Sequence, residues 1–173
     1  MAGADPGGGW HGAADPYHAR QLLEDERVRP AGLGARDLLR LEQGYSLYGS
    51  DLDESTTPLE AGLERFVDFS REFVGREALL AQRDRGLPRI RAAFRVSSRR
   101  TPRHGYRIYC QGEPVGEVTS GAFSPMLGCG IGLGYVRPAF AASGTLLEIR
   151  HESVTMEAAV VDLPFYRGGS LRA

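Results

Sequence analysis

Apolar and polar positions change their rhythm part-way along the chain. Up to about residue 88 the apolar side chains fall in short helical groups separated by polar turns. From Arg89 onward they fall in short runs of four to seven residues bounded by Gly, Pro and Ser. The first kind of spacing belongs to helices packed on one face, the second to short strands. Helical character is predicted over Tyr17–Arg27, with Leu22 and Leu23 as its apolar positions and Pro30 as the breaker. A second helix is predicted over residues 32–43 (GLGARDLLRLEQ), where Leu38, Leu39 and Leu41 lie among Arg36, Asp37, Arg40 and Glu42. Gly44 stands as its C-terminal stop. Tyr45–Pro58 reads as a loop, and Leu59–Val67 as a short strand or a turn of helix. Phe73–Arg83 carries the clearest helical pattern, closed by Gly86 and Pro88.

Six short strands are predicted after that: Ile90–Val96, Tyr106–Cys110, Pro114–Ser120, Gly130–Val136, Leu146–Ile149 and Met156–Val161. The Gln111-Gly112-Glu113 stretch between the second and third is a hairpin signal, with Gly112 supplying the permissive backbone. Strands so short and so closely spaced favour a small barrel or sandwich over a parallel sheet. The predicted class is α+β: a C-terminal antiparallel β-barrel of about six strands, preceded by a partial mixed α/β segment. Three regions are expected: residues 1–16 as a disordered tail, 17–88 as helices and loops, and 89–168 as the barrel. The tail, MAGADPGGGWHGAADP, has too little apolar surface to offset its ordering entropy.

Composition narrows the functional classes. The chain has 173 residues, is 42% hydrophobic, and carries 21 basic against 22 acidic side chains, a formal net charge of -1. That balance gives no electrostatic case for nucleic acid or an anionic membrane. Every basic side chain is Arg and none is Lys. Codon bias in a GC-rich genome explains this, and a surface built for phosphate or carboxylate recognition is the functional alternative. Cys110 and Cys129 make no CxxC pair, and the four histidines (His11, His18, His104, His151) have no metal-ligand spacing and read as solvated surface residues. No run approaches the ~20 apolar residues that span a bilayer. The N-terminus lacks a basic-then-apolar secretory pattern. A cytoplasmic location is the expectation.

No standard catalytic motif is present: the chain has neither G-x-x-x-x-G-K-[ST] nor G-x-S-x-G. Gly128-Cys-Gly-Ile-Gly-Leu-Gly contains a G-x-G-x-G stretch, but Tyr135-Val136 continues it as a strand rather than a helix, which argues against a nucleotide loop. Thr119-Ser120-Gly121 looks like a site. It reads more simply as a tight turn after a strand, with Gly121 at a permissive angle. Tyr48 reads as a packing residue.

Longer strings in fixed order say more. PAGLGARDLLRLEQGYSLYGSDLDESTTPLEAGL (Pro30–Leu63), FVGREALLAQRDRG (Phe73–Gly86), GEPVGEVTSGAFSP (Gly112–Pro125), IGLGYV (Ile131–Val136) and VVDLPFY (Val160–Tyr166) together resemble the C-terminal part of the glycine-cleavage T-protein family, folate-dependent aminomethyltransferases. Relatives such as dimethylglycine and sarcosine dehydrogenases, dimethylsulfoniopropionate demethylases and YgfZ-type proteins share the strings. GLGARD with LYGSDLDESTTPLEAGL is more similar to the glycine-cleavage members.

The resemblance implies an architecture of a ferredoxin-like region, a second mixed region and a C-terminal barrel around a central opening. It implies transfer of a one-carbon unit from the aminomethyl-lipoyl arm of H-protein to tetrahydrofolate, with release of ammonia. Tetrahydrofolate is then the expected cofactor and lipoylated H-protein the expected partner. The family's essential Asp and its pterin-gripping Glu lie upstream of GLGARD, where only some 30 residues precede the string here. Asp37, Asp51 and Asp53 belong to the recognised strings and cannot stand in for that Asp, so no catalytic residue is expected in this chain. Among folate contacts the resemblance implies Arg36, the Arg of GLGARD; pairing of Arg36 with Asp37 or Glu42 is the structural alternative. Arg91, Arg103 and Tyr166 are weaker candidates.

The expected function is therefore the C-terminal portion of an aminomethyltransferase, inactive alone and seeking a separate N-terminal half. Leu38, Leu39, Leu41, Phe66 and Phe69 would then show apolar faces. A non-catalytic folate-binding or interaction module, or a truncated gene product, is the alternative.

Overall fold

The computed structural model describes residues 16–168. Contacts divide the chain after Leu33. The first unit contains helix α1 (Pro16–Leu23). This helix ends well before Pro30: the chain turns at Glu24, whose N–H reaches the carbonyls of Arg20 and Gln21, and Asp25 then caps a turn by accepting from the Arg27 N–H at 2.9 Å. The predicted tail falls outside the described residues except for Pro16, which opens α1.

The second unit begins at Gly34, one residue into helix α2 (Leu33–Glu42). Gly44 stops α2 as the sequence implies. At φ 76° its N–H bonds the Leu41 carbonyl, while the Tyr45 N–H reaches back to Arg40, both at 2.8 Å. This pair of bonds is the Schellman closure, which favours glycine at the left-handed position. Helix α3 (Arg76–Arg85) starts three residues later than the pattern predicts, because Gly75 sits at φ 93° and Phe73 and Val74 precede it outside the helix. No α3 residue is fully buried, and Leu79 and Leu80 are half-buried.

Six antiparallel strands close a barrel in the order β1-β4-β3-β2-β5-β6. They are β1 (Ile90–Val96), β2 (Arg107–Cys110), β3 (Glu113–Ser124), β4 (Cys129–Val136), β5 (Leu146–His151) and β6 (Val154–Val161). The fold is α+β. Alternation sends Ala92, Phe94, Val96, Ile108, Val118, Ile149, Met156 and Val160 into one buried cluster. Burying a side chain such as Phe94 contributes about 1.5–3 kcal/mol.

β4 is buried on both faces. Its Ile131 and Leu133 form a second cluster with Ala93, Leu41 of α2 and Phe165 of the C-terminal segment. On the alternate positions stand the glycines of the G-x-G-x-G stretch. A Cβ on Gly132 would lie 2.5 Å from the Phe94 ring, and one on Gly130 would lie 2.1 Å from the Arg100 carbonyl. The glycine run therefore makes room for packing.

β3 is longer than predicted, and Thr119-Ser120-Gly121 is strand rather than turn. Gly121 pairs with Gly132, and the register shifts between Val118 and Ser120, leaving Thr119 as an extra residue. A bulge of this kind turns a side chain out of strand alternation, and Thr119 is put to use by it.

Candidate functional site

The segment Gly44–Leu63, which follows α2, lies on the barrel as a strap. Its polar anchor is Asp51, whose side chain is fully buried. The Asp51 carboxylate accepts from Arg40 Nη1 at 2.6 Å, the Leu47 N–H at 2.9 Å and the bulged Thr119 hydroxyl at 2.5 Å. The Tyr135 hydroxyl donates to the Asp51 carbonyl at 2.8 Å. Arg40 extends the network: it pairs with Asp37 at 2.7 Å, and Nη2 donates to the Ser120 hydroxyl at 3.0 Å. A buried carboxylate is tolerated only with such a full set of partners.

Two more buried carboxylates tie the same elements together. Glu42 of α2 accepts from the Ser124 hydroxyl at 2.5 Å. Glu60 accepts from the Thr57 N–H and from Gln82 Nε2 of α3, both at 3.2 Å, and pairs with Arg89 at 3.5 Å. Arg89 also lies 4.6 Å over the Tyr135 ring. Burial is the main cause that pushes the Tyr135 phenol up to about 12. The three buried carboxylates are thus committed to hydrogen bonds within the protein. What these residues do chemically is hold α2 and the strap in place.

The sequence candidates distribute as follows. Arg36 is exposed on α2 and forms no hydrogen bond or ion pair among the described residues. Neither expected acid takes it: Asp37 goes to Arg40 and Glu42 to Ser124. Arg91, on β1, donates through Nη1 to the Gly44 carbonyl at 3.2 Å and to the Ser46 hydroxyl. Burial lowers its pKa, with the charges of Tyr135 and Asp51 opposing the shift. Positive charge beside the C-terminal end of α2 also complements the helix dipole. Tyr166 is held by main-chain bonds, its N–H to the Glu42 carbonyl at 3.1 Å and its carbonyl to Gln43 Nε2 at 3.3 Å, while its hydroxyl reaches Gly168. Arg36, Arg91 and Tyr166 therefore all attach to α2 or to its end.

Arg103 does not. It is exposed on the β1–β2 loop, which is tied to β3 through His104 Nδ1, 3.0 Å from the Thr119 carbonyl, and through the Gly105 N–H to Val118. Among the other histidines, His151 is exposed and stacks on Tyr106 at 4.4 Å; His11 lies outside the described residues, as does the side chain of His18. Tyr48 is exposed rather than packed. The apolar expectation is mixed: Leu39 and Phe66 are exposed, Leu38 and Phe69 half-buried, and Leu41 fully buried beneath the C-terminal segment. Among the described residues no cluster of His, Cys, Asp and Glu can hold a metal, and no helix is long and apolar enough to cross a membrane.

Sequence reasoning missed Asp51 as the anchor and Arg40 as its partner. The available signal was that Asp51 in LYGSD and Thr119 in VTSG both stand inside the recognised strings.

Comparison with known proteins settles the family. The model of the glycine cleavage T-protein C-terminal barrel domain matches residues 89–167, and that of the GCVT N-terminal domain matches residues 19–71. The chain belongs to the glycine-cleavage T-protein family. Aminomethyltransferase of Thermosynechococcus vestitus is 51% identical over 148 residues, covering 85% of this chain and 40% of that protein. The probable aminomethyltransferase of Thermococcus kodakarensis is 46% identical over 149 residues, covering 80% and 37%. The crystal structure of glycine cleavage system aminomethyltransferase T from Bartonella henselae superposes with a TM-score of 0.81 at 34% identity, covering 87% of this chain and 43% of that one. This T-protein chain thus spans about two-fifths of the length of the curated relatives it matches.

Proposed function

We propose that this chain supplies the folate-side, C-terminal portion of an aminomethyltransferase of the glycine cleavage system. In that reading the one-carbon unit passes from aminomethyl-lipoyl H-protein to tetrahydrofolate and ammonia leaves. The observation that carries the reading is the docked α2–strap–barrel assembly. It presents Arg36, an arginine with all its donors uncommitted, from a helix whose end is clamped by Arg40 and Arg91. A guanidinium in that state fits the pterin edge or a folate carboxylate, each of which takes paired N–H donors. Tetrahydrofolate supplies the nucleophilic nitrogen that receives the carbon. The residues here bind and orient it: Arg36 by direct contact, Arg91 by fixing the Gly44–Ser46 turn, and Tyr166 by lying against the end of α2. Arg103 would serve at the folate-side opening from the β1–β2 loop.

The described carboxylates that are buried are committed to structure, which supports assigning proton handling to a region outside this span. The chain alone is then inactive and works with an N-terminal half, in the cytoplasm. The test is methylenetetrahydrofolate formation from aminomethylated H-protein and tetrahydrofolate, with and without an added N-terminal half of a related T-protein. The expected result is activity only with the half, and an Arg36→Ala chain whose tetrahydrofolate affinity falls roughly 10- to 100-fold, the worth of a charged hydrogen bond. Activity of the chain by itself would show the catalytic group to be misplaced. No activity in either case favours a non-catalytic folate-binding or interaction module, or a truncated product.

A further inference from the structure

Arg36 has an acid beside it in the chain. Over residues 32–40, a turn to either side of Arg36, the only acid is Asp37. Adjacent residues on a helix point in different directions, so an i,i+1 pair is not the favoured one. A long guanidinium can close that gap all the same. In α3, Arg76 Nη1 lies 2.7 Å from Oε1 of Glu77, its immediate neighbour. In α2 the corresponding pair does not form. Arg36 is exposed and makes no bond among the described residues, while Asp37 Oδ1 accepts from Arg40 Nε at 2.7 Å.

Arg40 is fixed from the barrel side. Its guanidinium presents donors in a rigid planar fork. Nη1 meets the buried Asp51 carboxylate at 2.6 Å and the Tyr45 carbonyl at 3.2 Å, and Nη2 meets the Ser120 hydroxyl at 3.0 Å. Nε is then left aimed at Asp37, and the fork cannot turn away without giving up Asp51 and Ser120. Arg40 also stands one turn beyond Arg36, where like charges repel. Asp37 and Asp51 neutralise it there.

We propose that Arg40 is a positioning residue for Arg36: by holding Asp37 it keeps the neighbouring guanidinium free of an internal partner and open to ligand. Naming that ligand as tetrahydrofolate rests on the function proposed above; the competition among Arg36, Asp37 and Arg40 does not. Arg40 thus has one task at Asp51 and another at Asp37, and a substitution can separate them. Lysine carries a compact point charge in place of the fork. In Arg40→Lys the buried Asp51 claims that charge, since a buried carboxylate left alone is the costlier loss. Asp37 is then released toward Arg36.

The test follows Arg36 in the parent, in Arg40→Lys and in Arg40→Lys/Asp37→Asn, each as the full chain combined with an N-terminal half of a related T-protein. Peptide mapping gives the rate at which phenylglyoxal, an arginine-selective reagent, modifies Arg36 without ligand. Titration gives the tetrahydrofolate affinity. An exposed ion pair holds its guanidinium by a factor of about two to five. Arg40→Lys should slow modification of Arg36 and weaken tetrahydrofolate by that factor at low salt, and the loss should fade as salt screens the pair. The double variant should recover the parent's values, although it has lost more of the network; a purely structural role for Arg40 predicts a further loss. Leu39→Glu, at an exposed position one turn beyond Arg36, leaves the Arg40 network intact and keeps the test decisive if Arg40→Lys does not fold. Its unheld acid should slow Arg36 by a similar factor. Arg36 reactivity unchanged in Arg40→Lys, or slowed there and not recovered in the double variant, overturns the proposal, as does unchanged reactivity in Leu39→Glu. A parent that binds no tetrahydrofolate overturns the functional reading instead, and the reactivity of Arg36 still decides the positioning role.

Discussion

Removing the Asp51 carboxylate should undo the strap before it undoes the barrel. In Asp51→Ala the Leu47 N–H loses its acceptor, the Thr119 hydroxyl is left with the Leu133 carbonyl at 3.2 Å, and Arg40 loses the partner 2.6 Å from Nη1. Arg40 is 12% exposed and Asp51 fully buried, so water replaces little of what is lost. Breaking a buried pair by deleting one partner costs ~3–5 kcal/mol. Here Arg40 keeps Asp37 at 2.7 Å and the Tyr45 carbonyl at 3.2 Å, which places the loss near ~3 kcal/mol rather than at the sum of three bonds. Against a total stability of ~5–15 kcal/mol for a domain, that is a large fraction. Asp51→Asn keeps the shape and one oxygen but loses the charge, and should cost ~1.5–3 kcal/mol.

Two measurements read this out. Urea unfolding followed by far-UV circular dichroism gives the global loss. Amide hydrogen exchange at Leu47, Gly49 and Leu52 gives the local one, against Phe94 and Leu133 in the barrel as reference. Exchange should quicken in the strap more than in the strands, because local opening precedes global unfolding where contacts are polar and few. Asp51→Ala within ~1 kcal/mol of the parent, with strap protection unchanged, would refute the assignment of Asp51 as the anchor.

Two further outcomes follow from the packing and the buried phenol. Gly132→Ala puts a Cβ 2.5 Å from the Phe94 ring inside a filled barrel, and should destabilise by ~1–3 kcal/mol in a urea titration, whereas Gly112→Ala, with open space around it, should cost only the strain of its positive φ. The Tyr135 phenol is raised from 10 to about 12, so the folded state holds its proton more tightly than the unfolded chain. That contribution is complete below pH 10 and falls as pH rises through 12. It amounts to ~2–3 kcal/mol, and Tyr135→Phe should flatten the loss in alkaline unfolding curves.

The barrel was legible because each strand carries its alternation and its own turn residues. β1 matches its predicted span, and the other strands differ at their ends. The largest strand error was the end of β3. Thr119 is an inserted residue, so strand alternation is reset beyond it, and the polar Thr-Ser-Gly imitates a turn. α3 was placed early for a related reason: Phe73 fits the helical stripe, but a left-handed Gly75 keeps it out of the helix. Hydrophobic pattern reports which face is buried and does not report backbone breaks at single residues. The site was less legible still. Arg36, Arg40 and Arg91 are the same residue type, and only long-range partners separate them, over 47 residues for Arg91 to Gly44 and 80 for Arg40 to Ser120.

Those partners also explain why the strongest strings of the sequence lie in a strap. LYGSD places Asp51 against Thr119, and the strand that follows TSGAFSP places Gly130 and Gly132 where loop and ring must approach. Each string meets another across the barrel wall, so a change in one would need a matching change in its partner. Arg36 has no such counterpart within the span: it is exposed and unpaired, on a helix held at its far end by Arg40, Arg91 and Ser124. An arginine displayed from a clamped helix with no internal use is what a ligand-facing residue requires, since its donors need not be released from another partner before they bind. The strings thus report how the platform is held together, and of the two arginines on α2, Arg40 is spent on that platform while Arg36 makes no bond within it among the described residues.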